Sequence, residues 1–278
     1  MYEKFYGFKE KPFNTTPDSR FFFPSSKHTE ALSTLSYTIS ERKGFAVITG
    51  EIGSGKTSVC RVLLNQLNSG TKVAMITNTH LSKKELISSI LEDLEVSFKP
   101  GTKTQLLSCL NRFLIEQLSL NFNVILIIDE AQNLKPSVLE EIRMLSNLET
   151  EREKLLQIIL VGQPELKDKL ELKRLEQFKQ RIGLFFHISP LDRKETEKYI
   201  THRLRIVDWT VDYNGGRTIF SPETIDEIYN YTGGVPRIIN LLCDYALLTG
   251  YINNKRNISP EVIEQVASDL RLKKNTTN

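Results

Sequence analysis

A glycine-rich run with one lysine and one threonine lies between two apolar segments of the chain. The run reads Gly50-Glu51-Ile52-Gly53-Ser54-Gly55-Lys56-Thr57, with Ser58 next. It matches the full G-x-x-x-x-G-K-[ST] pattern. Glycines let the backbone N–H groups face one concavity, which a following helix N-terminus makes positive. Lys56 adds a charge for the β- and γ-phosphates, and the Thr57 hydroxyl can ligate Mg²⁺. We therefore expect residues 50–58 to bind the phosphates of ATP; the alternative is a glycine-rich turn with an incidental lysine.

Two carboxylates, Asp129 and Glu130, follow the apolar run at residues 124–128. Such a run is typical of a strand buried on both faces of a parallel sheet, and open α/β sheets bind ligands at the carboxyl ends of their strands. There Asp129 would hold Mg²⁺ through its water shell, and Glu130 would polarise an attacking water. Taken alone, the pair is more often a helix N-cap. Together with a phosphate loop, it favours a hydrolase, and the sequence has no HRD or DFG motif of a kinase.

Strands and helices must alternate to position these groups. Apolar β-type runs occupy residues 45–49, 72–77, 124–128, 155–161 and 184–188, and helical periods lie between them. Ser82 with Glu85 forms a capping box at one helix start, and Pro136 suits the first turn of another helix. The alternation predicts a doubly wound α/β domain with a five-stranded parallel sheet.

The two ends of the chain have a different character from its middle. After Pro190 only helical patterns follow, at residues 192–206, 222–231, 236–250 and 260–270. Residues 1–26 are rich in Phe, Tyr and Pro and have no helical period, which predicts an extended arm that packs on the α/β domain or on a neighbouring subunit. We expect an aromatic arm at 1–26, an α/β base at 27–190, a helical lid at 191–271 and a polar tail at 272–278.

The composition is that of an ordinary soluble globular protein. The chain has 278 residues, of which 40% are hydrophobic and 26% are charged. This excludes disordered, collagen-like and disulfide-dense proteins. Lys and Arg number 37 against 34 for Asp and Glu, so the net charge of +3 does not indicate a nucleic-acid binder. The sequence has no signal peptide, no paired-cysteine motif and no apolar run of roughly 20 residues, so we expect a cytoplasmic protein without a membrane segment.

Together these motifs resemble AAA+ ATPases, and more narrowly the ExeA-like group, of the general secretion pathway protein A type. The resemblance extends over nearly the whole chain. Its segments are Phe5-Tyr6-Gly7-Phe8, Lys11-Pro12-Phe13, Thr16-Pro17-Asp18, residues 45–57, 128–132, 148–151, 160–166 and 180–182, and Thr232-Gly233-Gly234-Val235-Pro236-Arg237. The resemblance implies an AAA+ P-loop fold with a C-terminal helical lid. It also implies Mg²⁺-dependent ATP hydrolysis by a nucleotide-dependent homo-oligomer.

The resemblance further implies roles for residues outside the two motifs. Gln163 resembles the first sensor of the γ-phosphate; the alternative is an amide that caps the next helix. Arg237 resembles the second sensor, which reaches from the lid to the phosphates; the alternative is a solvent-facing arginine. Arg181 resembles an arginine finger donated in trans, and Arg174 competes for that role. The alternative for either arginine is an ordinary surface residue. Asn78 either hydrogen-bonds the catalytic carboxylate or forms a turn.

The pathway stays open between two classes of function. The resemblance implies an envelope secretion, pilus or exopolysaccharide export system. Longer members carry a membrane segment and a wall-binding region after the ATPase part; this chain stops at the lid, so we expect a membrane-associated partner. The alternative is an ATP-dependent, DNA-binding transposition regulator that forms filaments and recruits a transposase. The first lid helix is basic, which suits a solvated face or a DNA-tracking surface. Its basic residues are Arg193, Lys194, Lys198, Arg203 and Arg205.

Overall fold

A computed structural model describes residues 1–16, 18–151, 153–209 and 218–275 of the chain. The chain divides into two compact units. The sheet unit comprises Thr29–Gly50 and Val59–Ile188, and the helical unit comprises Met1–His28, Glu51–Ser58 and Ser189–Asn278. This division does not test the domain bounds that we predict from the sequence, and those bounds remain a prediction. Residues 276–278 of the predicted tail lie outside the described residues.

Five strands form one parallel sheet in the sheet unit. They are β1 (Phe45–Gly50), β2 (Thr71–Ile76), β3 (Asn123–Ile128), β4 (Gln157–Gly162) and β5 (Leu184–Ile188). Their order is β2-β3-β4-β1-β5, and every pairing is parallel. β1 and β4 are buried along their whole length, as expected for central strands covered on both faces. The predicted five-stranded parallel sheet is confirmed.

The register places three strand ends at one edge of the sheet. β4 lies between β3 and β1, with Ile128 opposite Leu160 and Thr49 opposite Gly162. The segments that leave this edge are the Asp129-Glu130 pair, the turn at Gln163 and the glycine-rich run that continues from β1. This is the edge at which open parallel sheets bind ligands.

Among the described residues, seven α-helices begin between residues 26 and 176. They are α2 (Ser26–Ser40), α3 (Lys56–Gln66), α4 (Lys83–Asp93), α5 (Lys103–Ser119), α6 (Pro136–Leu145), α7 (Glu165–Leu170) and α8 (Glu176–Lys179). The Ser82–Glu85 capping box at the start of α4 is confirmed, and α5 begins with a second box from Thr102 and Gln105. Each box satisfies backbone N–H groups that the first helical turn leaves without partners.

The helical unit contains α1 (Tyr2–Tyr6), α9 (Arg193–Ile206), α10 (Pro222–Thr232), α11 (Pro236–Ile252) and α12 (Pro260–Asp269). The aromatic side chains of the N-terminal segment share one buried core with α9 to α12. They are Tyr2, Tyr6, Phe8, Phe13 and Phe21. The expectation of an extended arm packed on the α/β base is therefore wrong for these residues. Residues 2–6 form a helix, and burial against α9 to α12 supplies the stability that so short a helix lacks by itself.

Arg203 of α9 is buried rather than solvated, with 5% of its surface exposed. Its Nε donates to the Pro12 carbonyl oxygen at 2.5 Å and its Nη2 to that of Asn14 at 3.0 Å. The guanidinium also lies 4.6 Å from the centre of the Phe21 ring. The expectation that the basic residues of this helix form a solvated or DNA-tracking face is thus wrong for Arg203, which binds the N-terminal segment to α9.

Arg193, at the start of α9, is also engaged within the helical unit. Its Nη1 pairs with Glu197 at 2.8 Å, and its Nε donates to Asp226. Two of the five basic residues that suggested a DNA-tracking surface therefore contact groups of the protein itself.

Candidate nucleotide site

The glycine-rich run forms a tight loop at the start of α3. Gly53 and Gly55 have φ angles of +82° and +98°, which residues with a side chain rarely adopt. Inside the loop the Ser54 N–H donates to the Glu51 carbonyl oxygen at 3.1 Å. Lys56 Nζ donates to the same oxygen at 2.9 Å. The loop therefore has the conformation that turns successive N–H groups towards an anion at a helix N-terminus.

The two glycines are also required by close neighbours in the helical unit. A Cβ on Gly53 would lie 2.5 Å from Cβ of Arg237, whose backbone N–H donates to the Gly53 carbonyl oxygen at 3.3 Å. A Cβ on Gly55 would lie 2.7 Å from Nε2 of His28. The sequence indicated that glycines shape the loop, but not that Arg237 and His28 pack against Gly53 and Gly55.

Arg237 lies next to the phosphate loop because of the two preceding glycines. Gly233 ends α10 in the left-handed conformation. At Gly234, φ is +74° and a Cβ would overlap the Leu191 carbonyl group, while the Gly234 carbonyl oxygen accepts the Leu191 N–H at 3.0 Å. The turn directs the chain into α11, which begins at Pro236. Gly233 adopts the left-handed conformation without steric cost, and Gly234 has no room for a side chain.

The residues of the loop fit a bound phosphate group. The Ser54 hydroxyl oxygen is buried and has no hydrogen-bond partner among the described residues, an arrangement that is costly unless a ligand or water satisfies the group. Lys56, 6% exposed, supplies a buried cation on the same loop. Thr57 and Asp129 offer hydroxyl and carboxylate oxygens, the donors that Mg²⁺ prefers. These residues are chemically suited to ATP with Mg²⁺.

The segment after β3 holds Glu130 in a fixed orientation. Glu130 adopts a left-handed backbone, with φ of 53°, and its N–H donates to Oδ1 of the buried Asp129 at 2.9 Å. Its Oε2 accepts Nε2 of Gln132 at 2.6 Å and Nε2 of Gln163 at 3.2 Å. A non-glycine residue in this conformation persists only where surrounding contacts impose it. Two amides thus hold the carboxylate that the sequence predicts to be catalytic.

Gln132 is the functional candidate that sequence reasoning missed. Besides contacting Glu130, its Oε1 accepts the backbone N–H of Gln163 at 3.0 Å. A Cβ on Gly162 would lie 2.8 Å from the same Oε1, so a side chain at this position would displace the Gln132 amide. The available signal was an amide two residues after the carboxylate, where the short 3₁₀ turn Ala131–Asn133 directs the side chain back.

Asn78 follows the turn alternative. Its Oδ1 accepts the backbone N–H of His80 at 3.1 Å, the hydrogen bond of an Asx turn. The donors to the Glu130 carboxylate are instead Gln132 and Gln163.

Lys169 of α7 supports the turn that carries Gln132. Its Nζ donates to the Leu134 carbonyl oxygen at 3.0 Å and to that of Gln132. Burial lowers the pKa of Lys169, and the nearby charge of Arg174 lowers it further. The ammonium group thus fixes the backbone on both sides of residue 133.

The two candidates for an arginine finger both lie on the surface of the sheet unit. Arg174 belongs to the short turn Lys173–Leu175, and Arg181 lies between α8 and β5. Both are exposed, as a residue donated to another subunit must be before assembly. The charge of Arg181 contributes to a lowered pKa of Glu149, although the hydrogen bond from Lys154 is the larger cause.

The parallel sheet, the phosphate loop after β1 and the acidic pair after β3 are those of a P-loop ATPase. The AAA domain family matches residues 39–170 of the chain. Within this class the chain is an ExeA-like AAA+ ATPase. It is 37% identical over 259 residues to general secretion pathway protein A of Aeromonas hydrophila, a match that covers 93% of this chain. The chain spans 46% of the length of that relative.

Solved structures share the fold at low sequence identity. The ORC2 protein of Aeropyrum pernix, in complexes with ADPNP and ADP, has a TM-score of 0.69 at 14% identity and covers 94% of this chain and 72% of its own. The Cdc6p protein of Pyrobaculum aerophilum has a TM-score of 0.67 at 18% identity, and the match covers 91% of this chain and 71% of that protein. In the part of the chain that the structure describes, none of the helices has the length and apolar character to cross a bilayer.

Proposed function

We propose that the chain binds ATP with Mg²⁺ and hydrolyses it, using the phosphate loop together with Glu130, Gln132 and Gln163. The observation that carries this proposal is the fixed carboxylate of Glu130, held on Oε2 by the amides of Gln132 and Gln163. Both amides donate to Oε2, and we assign Oε1 as the oxygen that would accept a proton from an attacking water. A carboxylate so oriented can accept the proton of that water.

The other residues would bind and position the nucleotide. Bound Mg²⁺ would neutralise charge on the β- and γ-phosphates, and Thr57 and Asp129 would hold it. Lys56 and the loop N–H groups would bind the phosphates, and the Ser54 hydroxyl would donate to one of them. Gln163 would contact the γ-phosphate from β4, and Arg237 would do so from the start of α11.

We further propose that the ATPase works as a homo-oligomer in which Arg181 completes a neighbouring site. A lone P-loop subunit lacks a cation on the far side of the γ-phosphate, and an arginine supplied there is worth on the order of a thousandfold in rate. The exposure of Arg181 supports its availability to a neighbour.

We place this activity in a secretion or envelope-assembly system, with a membrane-associated partner and a cytoplasmic ATPase. The similarity to general secretion pathway protein A over 93% of the chain supports this assignment. The partner would couple nucleotide-dependent assembly of the ATPase to the export machinery.

The Glu130→Gln variant tests the proposed chemistry. It keeps the shape and a hydrogen-bonding oxygen but cannot accept the proton. We expect it to bind a fluorescent ATP analogue like the unmodified protein and to hydrolyse ATP slower by about a hundredfold or more. Glu116→Gln, an exposed change on α5, is the matched control. Turnover of Glu130→Gln within twofold of the control would contradict a catalytic role for Glu130.

A further inference from the structure

His28 is a buried residue that contacts the phosphate loop directly. It lies near the start of α2 with 5% of its surface exposed. Its Nε2 is 2.9 Å from the Ser54 carbonyl oxygen, and its Nδ1 is 2.7 Å from the Ser25 hydroxyl. The edge of its ring also meets Phe22, with ring centres 5.7 Å apart. The imidazole is therefore held on both nitrogens.

These contacts determine which nitrogen carries the proton. A carbonyl oxygen only accepts hydrogen bonds, so Nε2 must donate to Ser54. Burial lowers the pKa of His28, against the opposing effect of the Ser54 hydrogen bond, which favours the neutral ring at pH 7. In the neutral Nε2–H tautomer Nδ1 is an acceptor, and the Ser25 hydroxyl donates to it.

Holding the Ser54 carbonyl also fixes the next N–H of the loop. In a planar trans peptide the C=O of Ser54 and the N–H of Gly55 point in opposite directions. The bond from His28 therefore turns the Gly55 N–H to the side away from the ring, the side on which an anion can accept it. Gly55 has φ of +98° and no room for a Cβ beside His28, so the ring and the glycine fit together.

The segment that carries His28 is hydrogen-bonded to α9. The Ser26 N–H and hydroxyl both donate to Oε1 of Glu195, at 2.9 Å and 2.7 Å. The Glu195 N–H donates to Asp192 Oδ1 at 2.7 Å, and Oε2 of Glu195 accepts the Asp192 N–H at 3.4 Å. One carboxylate thus caps α9 with one oxygen and holds the start of α2 with the other.

We propose that His28 is a positioning residue of the phosphate loop. It sets the Ser54–Gly55 peptide for phosphate binding and links it, through Ser25, Ser26 and Glu195, to the start of α9. This inference rests on the proposed ATP binding and extends it. A shift of α9 relative to the loop would strain the hydrogen bonds of this chain of residues, so nucleotide affinity and the placement of α9 depend on each other.

Two substitutions at position 28 distinguish the effect of the His28–Ser54 hydrogen bond from the effect of losing packing. Gln at position 28 places an amide nitrogen where Nε2 lies, and Asn places one nearer to Nδ1 and cannot reach Ser54. We expect His28→Asn to raise Kd for a fluorescent ATP analogue, and KM for ATP, by about tenfold, and His28→Gln by less than about threefold. We expect kcat to stay within twofold in both, because Glu130 is untouched. His80→Asn, at an exposed histidine, is the control.

A second pair of measurements tests the link to α9. Ser26→Ala removes one of the two bonds to Glu195, and we expect a rise in Kd of about threefold. The double variant Ser26→Ala with His28→Asn should bind no more weakly than His28→Asn alone, because the link is already broken. Additive losses would overturn the linked arrangement. Ser40→Ala, at an exposed position on α2, is the matched control.

The outcomes distinguish this inference from the proposed function. If the unmodified protein does not bind the ATP analogue, or Lys56→Ala binds it normally, both the proposed function and the role of His28 fall. If those two proteins behave as expected but His28→Asn binds like the unmodified protein, only the role of His28 is overturned. If thermal melts show that His28→Asn does not fold, Ser25→Ala keeps the ring and removes the Nδ1 partner. Normal Kd in that variant would overturn the proposal.

Discussion

Gln132 donates to Glu130 Oε2 at 2.6 Å and accepts the backbone N–H of Gln163 at 3.0 Å. One side chain thereby connects the segment after β3 to the segment after β4. The Gln163 side chain closes the cluster by donating to the same carboxylate oxygen at 3.2 Å. Because these contacts oppose the strain of the left-handed backbone at Glu130, Gln132 determines where the carboxylate points.

Replacing Gln132 should lower turnover without weakening nucleotide binding. Gln132→Ala removes one amide from Glu130 and the partner of the Gln163 N–H, so the carboxylate is free to rotate away from the attacking water. We expect kcat to fall by about tenfold or more, with Kd for a fluorescent ATP analogue within twofold of the unmodified protein. Gln177→Ala, at an exposed position on α8, controls for loss of an amide. An unchanged kcat would remove Gln132 from the site.

Removing the charge of Lys56 should abolish most of the affinity for ATP. The ammonium group supplies charge-assisted contacts to phosphate oxygens, which are stronger than neutral hydrogen bonds. We expect Lys56→Ala to raise Kd by about a hundredfold in the same titration. Lys84→Ala, an exposed change on α4, should bind normally. Equal affinities of the two variants would mean that the loop does not bind the nucleotide through Lys56.

Activity per subunit should rise with protein concentration if Arg181 completes a neighbouring site. Arg181→Ala should then bind ATP and stay slow at every concentration, whereas Arg174→Ala should behave like the unmodified protein. Mixing Arg181→Ala with Lys56→Ala should recover some activity, because an interface can then combine one intact loop with one intact finger. Specific activity that is independent of concentration, with no recovery on mixing, would rule out the shared site.

Stability should fall as the pH drops below neutrality, in part because of His28. Burial lowers its pKa in the folded protein below the ordinary 6.5. The unfolded chain therefore binds a proton first, and the contribution of His28 is complete above pH 6.5 and is lost as the pH falls below it. The pKa of His202 is lowered in the same direction, mainly by burial.

Thermal or urea unfolding between pH 7.5 and 5.5 measures this effect. His28→Gln should lose less stability over that range than the unmodified protein, because the amide does not titrate, and one group contributes at most about 1.4 kcal/mol per pH unit. His80→Gln, at an exposed histidine, is the matched control. Parallel curves for all three proteins would show that His28 is not part of the acid response.

Local sequence patterns determined the strands, the capped helices, the glycine-rich phosphate loop and the acidic pair Asp129-Glu130. The run at 124–128 is apolar at every position, which is typical of a buried strand, and the phosphate loop is specified by residues adjacent in the chain. Helix starts such as Ser82 with Glu85 are likewise set within four residues. These features could be predicted because their physical causes act over short stretches of sequence.

Only the tertiary structure decided which distant side chains meet. Arg203 looked like one more surface cation, yet it fastens residues 12 and 14 to α9. Gln132 gains its role from the strand order, and His28 gains its role from its contact with the Ser54 carbonyl oxygen. The spacing of the aromatic residues in 1–26 does not predict which surface buries their rings, because the hydrophobic effect is non-directional and favours any apolar partner of suitable shape. Hydrogen bonds and packing between residues far apart in sequence depend on the completed fold, and periodicity records only which face of an element is apolar.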